Sequence, residues 1–238
     1  MSNEELVKEL REALGPALKS VVLYGSAAAG DFVEGVSGRD VLILAERLGA
    51  SELAALSAPL AHWEAAGNPM PQLFTPSELA GSADVFPIEL ADMQQSRRVL
   101  FGTDPLTEIK IDMRHFRIQL ERELKTRLLV LRRKYLACGG KTDAVAGLMA
   151  ASVSTFLVLM RAALRLYNES APADKAKALE ELNQHIQFDR QPFLAVLELK
   201  KRKQKLAAGQ IESLFSQYLT SIETVVAAVD NELRPTST

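Results

Sequence analysis

The hydrophobic period of this chain changes near Lys110, and nothing else in the sequence constrains the fold as strongly. Up to that point short apolar runs alternate with helical repeats; beyond it only helical repeats remain. SVVLY (20–24) and DVLILA (40–45) are apolar runs too short for helices, and both read as buried strands. PQLF (71–74) and VFPIEL (85–90) predict a third and a fourth strand. Pro87 has no backbone donor, which places the fourth at a sheet edge or on a bulge. Among these runs, Leu6, Leu10, Ala13 and Leu14 repeat at helical spacing and stop at Gly15-Pro16. Residues 51–66 are rich in Ala and Leu and predict a second helix. Thr75 with Pro76 behind it is the start of another, an N-cap hydroxyl followed by a proline at the first helical position.

After Lys110 the segments 112–137, 143–167, 173–185, 191–203 and 209–232 all carry helical periodicity. Gly139-Gly140, 168–172 and 189–192 separate several of them. Helices joined by short connections argue for a bundle, and the last residues, 234–238, read as a frayed end. The sequence therefore divides into an α/β (α+β) domain with a small mixed sheet, 1–110, and an all-α helical bundle domain, 111–238. Charge divides at the same place. Residues 1–110 hold 8 Lys and Arg against 16 Asp and Glu, a net of −8, whereas 111–238 hold 20 against 14, a net of +6.

The whole-chain charge of −2 gives no support for a nucleic-acid partner. Cys138 is the single cysteine, so neither a disulfide framework nor a Cys-rich zinc site can form. His62, His115 and His185 show no metal-ligand spacing. The acidic, amphipathic MSNEELVKEL does not read as a signal peptide. The longest uncharged stretch, 144–160, has 17 residues and includes Gly147, Ser152, Ser154 and Thr155. It falls short of a membrane span in length and hydropathy and predicts the central helix of a bundle, consistent with a cytoplasmic protein. The basic residues between Arg114 and Lys134 read as a solvated helix face partly paired with Glu121 and Glu123. Those from Lys200 to Lys205 read as a solvated helix end.

The chemistry-bearing segment is VVLYGSAAAGDFVEGVSGRDVLILAE (21–46). A strand ends in Gly25-Ser26, a short Ala run follows, and an acidic loop leads into a second strand at Asp40. Gly25 permits close backbone approach to a phosphate. Ser26 has a hydroxyl to donate, and the first amides of the following turn favour an anion. This arrangement resembles the nucleotidyltransferase superfamily typified by DNA polymerase beta and the kanamycin nucleotidyltransferases, whose Gly-Ser motif is followed by an Asp-x-Asp or Asp-x-Glu pair on the next strand. Two residues apart on a strand places both acids on one face, where Mg²⁺ takes carboxylate and phosphate oxygens and paired ions clamp an in-line phosphoryl displacement. The segment 86–106 resembles the family's later strand and following helix, closing on Leu100-x-Gly102-x-Asp104-x-Leu106.

The resemblance spans Ser20 to about Leu106 and implies an NTP with Mg²⁺ and an acceptor hydroxyl. Gly25 and Ser26 would hold the phosphates, and Asp40 and Glu89 would be catalytic metal ligands, with Asp92 second choice to Glu89. Asp92 reads more readily as the N-cap of a helix beginning near Met93. The pattern is incomplete: Gly38 stands where the first acid of the pair belongs, and Arg39 replaces an apolar residue and should face away from Asp40. Asp31 or Glu34 on the loop would have to replace the lost carboxylate. Without it the chain reads as a degenerate, catalytically silent homologue that binds nucleotide or a partner protein. A third reading is an interaction module for RNA or a basic protein, and the sequence leaves room for a homo-oligomer.

Overall fold

The computed structural model describes residues 1–29, 39–168, 170–172, 174–202 and 207–231, and divides into two compact units, Met1–Phe116 and Arg117–Thr238. The first unit is built on a four-stranded mixed sheet in the order β3-β2-β1-β4. β1 (Leu18–Tyr24) runs antiparallel to both β2 (Asp40–Ala45) and β4 (Arg97–Gly102), while β3 (Gln72–Phe74) lies parallel to β2.

Alternation along the two central strands supplies both faces of the core. Val21, Leu23, Val41, Ile43 and Ala45 turn to one side and meet Leu6, Leu10 and Leu14 of α1 (Asn3–Leu14) and Leu56, Leu60 and Trp63 of α3 (Ala50–Ala65). Val22, Leu42 and Leu44 turn to the other and meet Leu79 of α4 (Pro76–Ala80) and Leu90 and Met93 of α5 (Pro87–Gln95). Both ends of this logic are capped as the residues dictate. Ser2 Oγ accepts from the Glu5 amide while Glu5 accepts from the Ser2 amide. Thr75 and Glu78 form the same box before Pro76.

The fourth strand is not where the sequence places it. Residues 85–90 do not form a strand: Pro87 opens α5 at its first helical position, with Phe86 as N-cap, and Ile88, Leu90, Ala91 and Met93 are buried at helical spacing. The strand is the next segment, Arg97–Gly102, so helix precedes strand in 86–106, the reverse of the order expected. The apparent alternation of VFPIEL misleads because it is too short to separate the two periods. Gly102 ends β4 at φ +77°, where a Cβ would overlap the Lys19 carbonyl.

The second unit contains α6 (Met113–Ala137, entered from the first unit), α7 (Thr142–Leu164), α8 (Lys175–His185), α9 (Gln191–Arg202) and α10 (Ala208–Asn231), five helices at the five expected places. Against the expectation from the uncharged stretch 144–160, the helix runs beyond it at both ends, and α7 is long and apolar enough to cross a bilayer by length and composition alone. Here it packs against α8, α9 and α10, and Val145, Met149, Val153, Phe156 and Met160 are buried. Tyr218 of α10 is fully buried, edge-on to Phe156 and Phe193. Its hydroxyl meets Ser152 Oγ at 3.2 Å, and burial pushes the phenol up despite that bond.

Candidate functional site

Tyr24 and Asp40 form the last register pair of the β1–β2 ladder, and Gly25 turns the chain out of β1 immediately beyond it. Gly25 adopts φ +72°, the left-handed region that suits glycine. Its amide donates to the Ser96 carbonyl at 2.9 Å, just ahead of β4, and its carbonyl accepts from Ala28 at 3.0 Å. Ser26 opens the short helix α2 (Ser26–Ala29). A Cβ on Gly25 would stand 3.3 Å from Asp40 Oδ2, so the missing side chain also leaves room for the carboxylate.

Asp40 has the parity of Leu42 and Leu44 and therefore projects on the α4/α5 side of the sheet. It is half-buried, and burial pushes its carboxyl above the ordinary range. Tyr24 on the same face is pushed up to about 12, first by burial and then by the Asp40 charge. Among the described residues Asp40 takes no ion-pair partner. A half-buried hard oxygen donor without a balancing cation is the kind of group that a divalent ion stabilises.

Arg39 faces the opposite side, as its position beside Asp40 requires. Its guanidinium lies over the Trp63 ring, 4.8 Å from the centroid. Nε donates to Asn68 Oδ1 at 3.1 Å, Nη1 to Asn3 Oδ1 at 3.3 Å and Nη2 to the Met1 carbonyl at 2.6 Å.

Glu89 lies not on a strand but in the first turn of α5, exposed, on the helix whose Leu90 and Met93 cover the same sheet face as Asp40. Asp92 sits inside α5 and does not cap a helix at Met93. Gly38, Asp31 and Glu34 lie outside the described residues. Among the described residues no group of three or more His, Cys, Asp and Glu is placed to hold a metal ion.

The basic face of α6 is largely consumed in pairs. Arg117 and Lys125 both meet Glu121, Lys125 reaches Asp230, Arg127 meets Glu123 and Arg132 meets Glu223. His62 pairs with Glu9, His185 stacks on Tyr167, and Cys138 donates its thiol to the Lys134 carbonyl.

Three features escaped the sequence. Tyr24 flanks Asp40, a neighbour readable only from strand register. Ser96 holds the Gly25 turn from a segment expected to be helical. In the second unit, burial and then the nearby Arg161 and Lys200 hold the Lys175 amine below its ordinary range; these cations come from separate helices and share no motif.

No protein-family model and no curated protein sequence matches this chain. Its backbone is nevertheless similar to solved structures. One of them, spectinomycin adenyltransferase AAD(9) from Enterococcus faecialis, determined with ATP and spectinomycin, aligns with a TM-score of 0.59 over 95% of this chain and 97% of that one, at 11% identity. The chain thus has the fold of the kanamycin-type nucleotidyltransferases, a small mixed sheet with helices followed by a helical region.

Proposed function

We propose that this protein is a nucleotidyltransferase that binds an NTP with Mg²⁺ and moves a nucleoside monophosphate to a hydroxyl acceptor. The observation that carries the reading is the juxtaposition of the Gly25 turn with a half-buried Asp40 that has no ion-pair partner among the described residues, on a sheet of this fold. Gly25 and Ser26 would hold phosphate, Asp40 would hold the ion and Glu89 is the second candidate ligand. When bound, Mg²⁺ supplies charge neutralisation to the phosphates. The remaining work falls to the chain: the β1–β2 ladder fixes where the carboxylate sits, and Tyr24 keeps one side of it away from water.

ATP, which the solved neighbour binds, is the first nucleotide to test, against a panel of hydroxylated small molecules and proteins. Wild-type protein releases pyrophosphate and labels an acceptor, and Asp40→Asn loses about a hundredfold or more. Neither pyrophosphate nor labelled product across nucleotides and acceptors overturns the reading.

Gly38 favours a second reading, a silent homologue that retains nucleotide binding without transfer, because one carboxylate of the metal pair is absent from the sequence. On this reading Gly38→Asp strengthens Mg²⁺-dependent ATP binding in calorimetry or creates turnover. An unchanged heat profile counts against it.

A further inference from the structure

The residue beside Asp40 is an arginine whose side-chain contacts among the described residues lie on the far side of the sheet. One arginine draws together two segments distant in sequence: the Met1 carbonyl and Asn3 at the start of α1, and the end of α3 with the turn beyond it, Trp63 and Asn68. The acceptor side is itself fixed. Asn68 is buried, and its Nδ2 donates to the Trp63 carbonyl at 3.2 Å, while Trp63 Nε1 donates to the Pro69 carbonyl at 3.1 Å. The Arg39 amide also points to Asn68 Oδ1 at 3.4 Å, so backbone and side chain converge on one oxygen. Glu4 is the acid that feels the Arg39 charge from α1, together with that of Arg98.

This latch sits at the open end of β2. Asp40 is the first residue of the strand and pairs with Tyr24 at the end of the ladder, where hydrogen-bonded structure opens first. Successive strand residues project to opposite faces, so fixing Arg39 on the α1/α3 side also fixes the direction in which Asp40 leaves the backbone. The carboxylate then lies against the gap left by Gly25, where a displacement of about an ångström is enough to spoil a metal or phosphate geometry.

We infer that Arg39 is a positioning residue: anchored to α1, Trp63 and Asn68, it pins the open end of β2 and so holds the Asp40 carboxylate over Gly25. This rests on the site reading proposed above, but its central readout does not. In Arg39→Met, which keeps length without charge or donors, amide hydrogen exchange in the metal-free protein rises about tenfold or more at Asp40–Leu42 relative to Ile43–Ala45. Arg39→Lys, which keeps the charge over Trp63 but loses the fork, lies between the two. Mn²⁺ binding followed by electron paramagnetic resonance weakens about tenfold in Arg39→Met at a temperature where far-ultraviolet circular dichroism shows the protein fully folded.

A purely structural arginine would give a different pattern. Exchange would rise uniformly along β2, or Mn²⁺ affinity would stay at the wild-type value while thermal stability fell; either result overturns the inference. If wild-type protein binds no Mn²⁺, the metal reading fails, and the local exchange pattern alone decides the role of Arg39. Should Arg39→Met not fold, Asn68→Ala removes the shared acceptor from the other side and is held to the same exchange pattern.

Discussion

Charge is used differently in the two units. Along α6 of the helical unit, cations meet acids repeatedly: Glu121 takes both Arg117 and Lys125, and Lys125 also reaches Asp230. At the end of the sheet in the other unit, Asp40 is half-buried with no ion-pair partner among the described residues, and burial pushes its carboxyl up. Paired charges hold helices together. A partly desolvated carboxylate without a balancing cation costs stability where it stands, a cost that the proposed metal-binding role of Asp40 accounts for. The net charge of each unit, negative around Asp40 and positive around α6, therefore identifies neither the partly desolvated acid nor the paired ones.

The largest effect that probes this comparison belongs to the scaffold of the sheet. Gly102→Ala puts a methyl into the Lys19 carbonyl at a positive φ, and separation of β4 from β1 costs about 3 kcal/mol or more. Urea unfolding followed by Trp63 fluorescence measures it, and a loss below about 1 kcal/mol would mean that the β1–β4 contact yields easily.

Next comes the helical unit. Arg117 is buried and donates to Glu121 at 3.1 Å and to the Val229 carbonyl at 3.1 Å. Arg117→Ala strips both bonds and a packed stem, and lowers stability by about 2–3 kcal/mol in far-ultraviolet circular dichroism. Glu121 keeps Lys125, which is why the cost stays below that of a fully orphaned buried acid.

Asp104 offers a paired acid within the first unit. Burial would raise its carboxyl, but the Arg97 bond at 2.7 Å, the Leu106 amide and the Thr107 hydroxyl outweigh it and hold the group below its ordinary value. A lowered folded-state value means that the unfolded chain binds the extra proton, so the stabilisation is present above the ordinary carboxylate range and is lost as pH falls through the folded-state value. Asp104→Asn therefore costs about 1 kcal/mol at neutral pH, and the deficit disappears in strong acid. A deficit that is constant with pH would assign the effect to packing instead.

Asp40→Asn has the smallest effect and the opposite sign. Its raised folded-state value makes the native state the stronger proton binder, so stability is lost as pH rises from the unfolded to the folded value. The variant is slightly more stable than wild type at neutral pH and matches it well below the ordinary carboxylate range. A variant less stable at neutral pH would place a stabilising partner on Asp40 and remove the contrast with α6.

Much of the fold was legible in the residues. Five helices of the second unit follow from breakers and uninterrupted helical repeats over many turns, and β1 and β2 follow from short apolar runs with a glycine or polar boundary. Segment 85–102 was not, because six residues of mixed pattern cannot distinguish a proline-started helix from an edge strand, and RRVLFG takes its strand pairing from β1 rather than from its own period. Of the site, Gly25 and Asp40 were legible as a spacing, and Arg39 facing away from Asp40 follows from strand alternation.

Residue type and period alone carry the two kinds of architecture, the Gly25-Ser26 and Asp40 markers, and the absence of an acid at Gly38. That Tyr24 borders Asp40, that Glu89 rides on a helix, and that Arg39 is fastened to Met1, Asn3, Trp63 and Asn68 emerge from the folded chain. The first and the last are contacts between segments far apart in the chain. Such contacts are set by strand register and by which helix covers which face, and local preference carries neither.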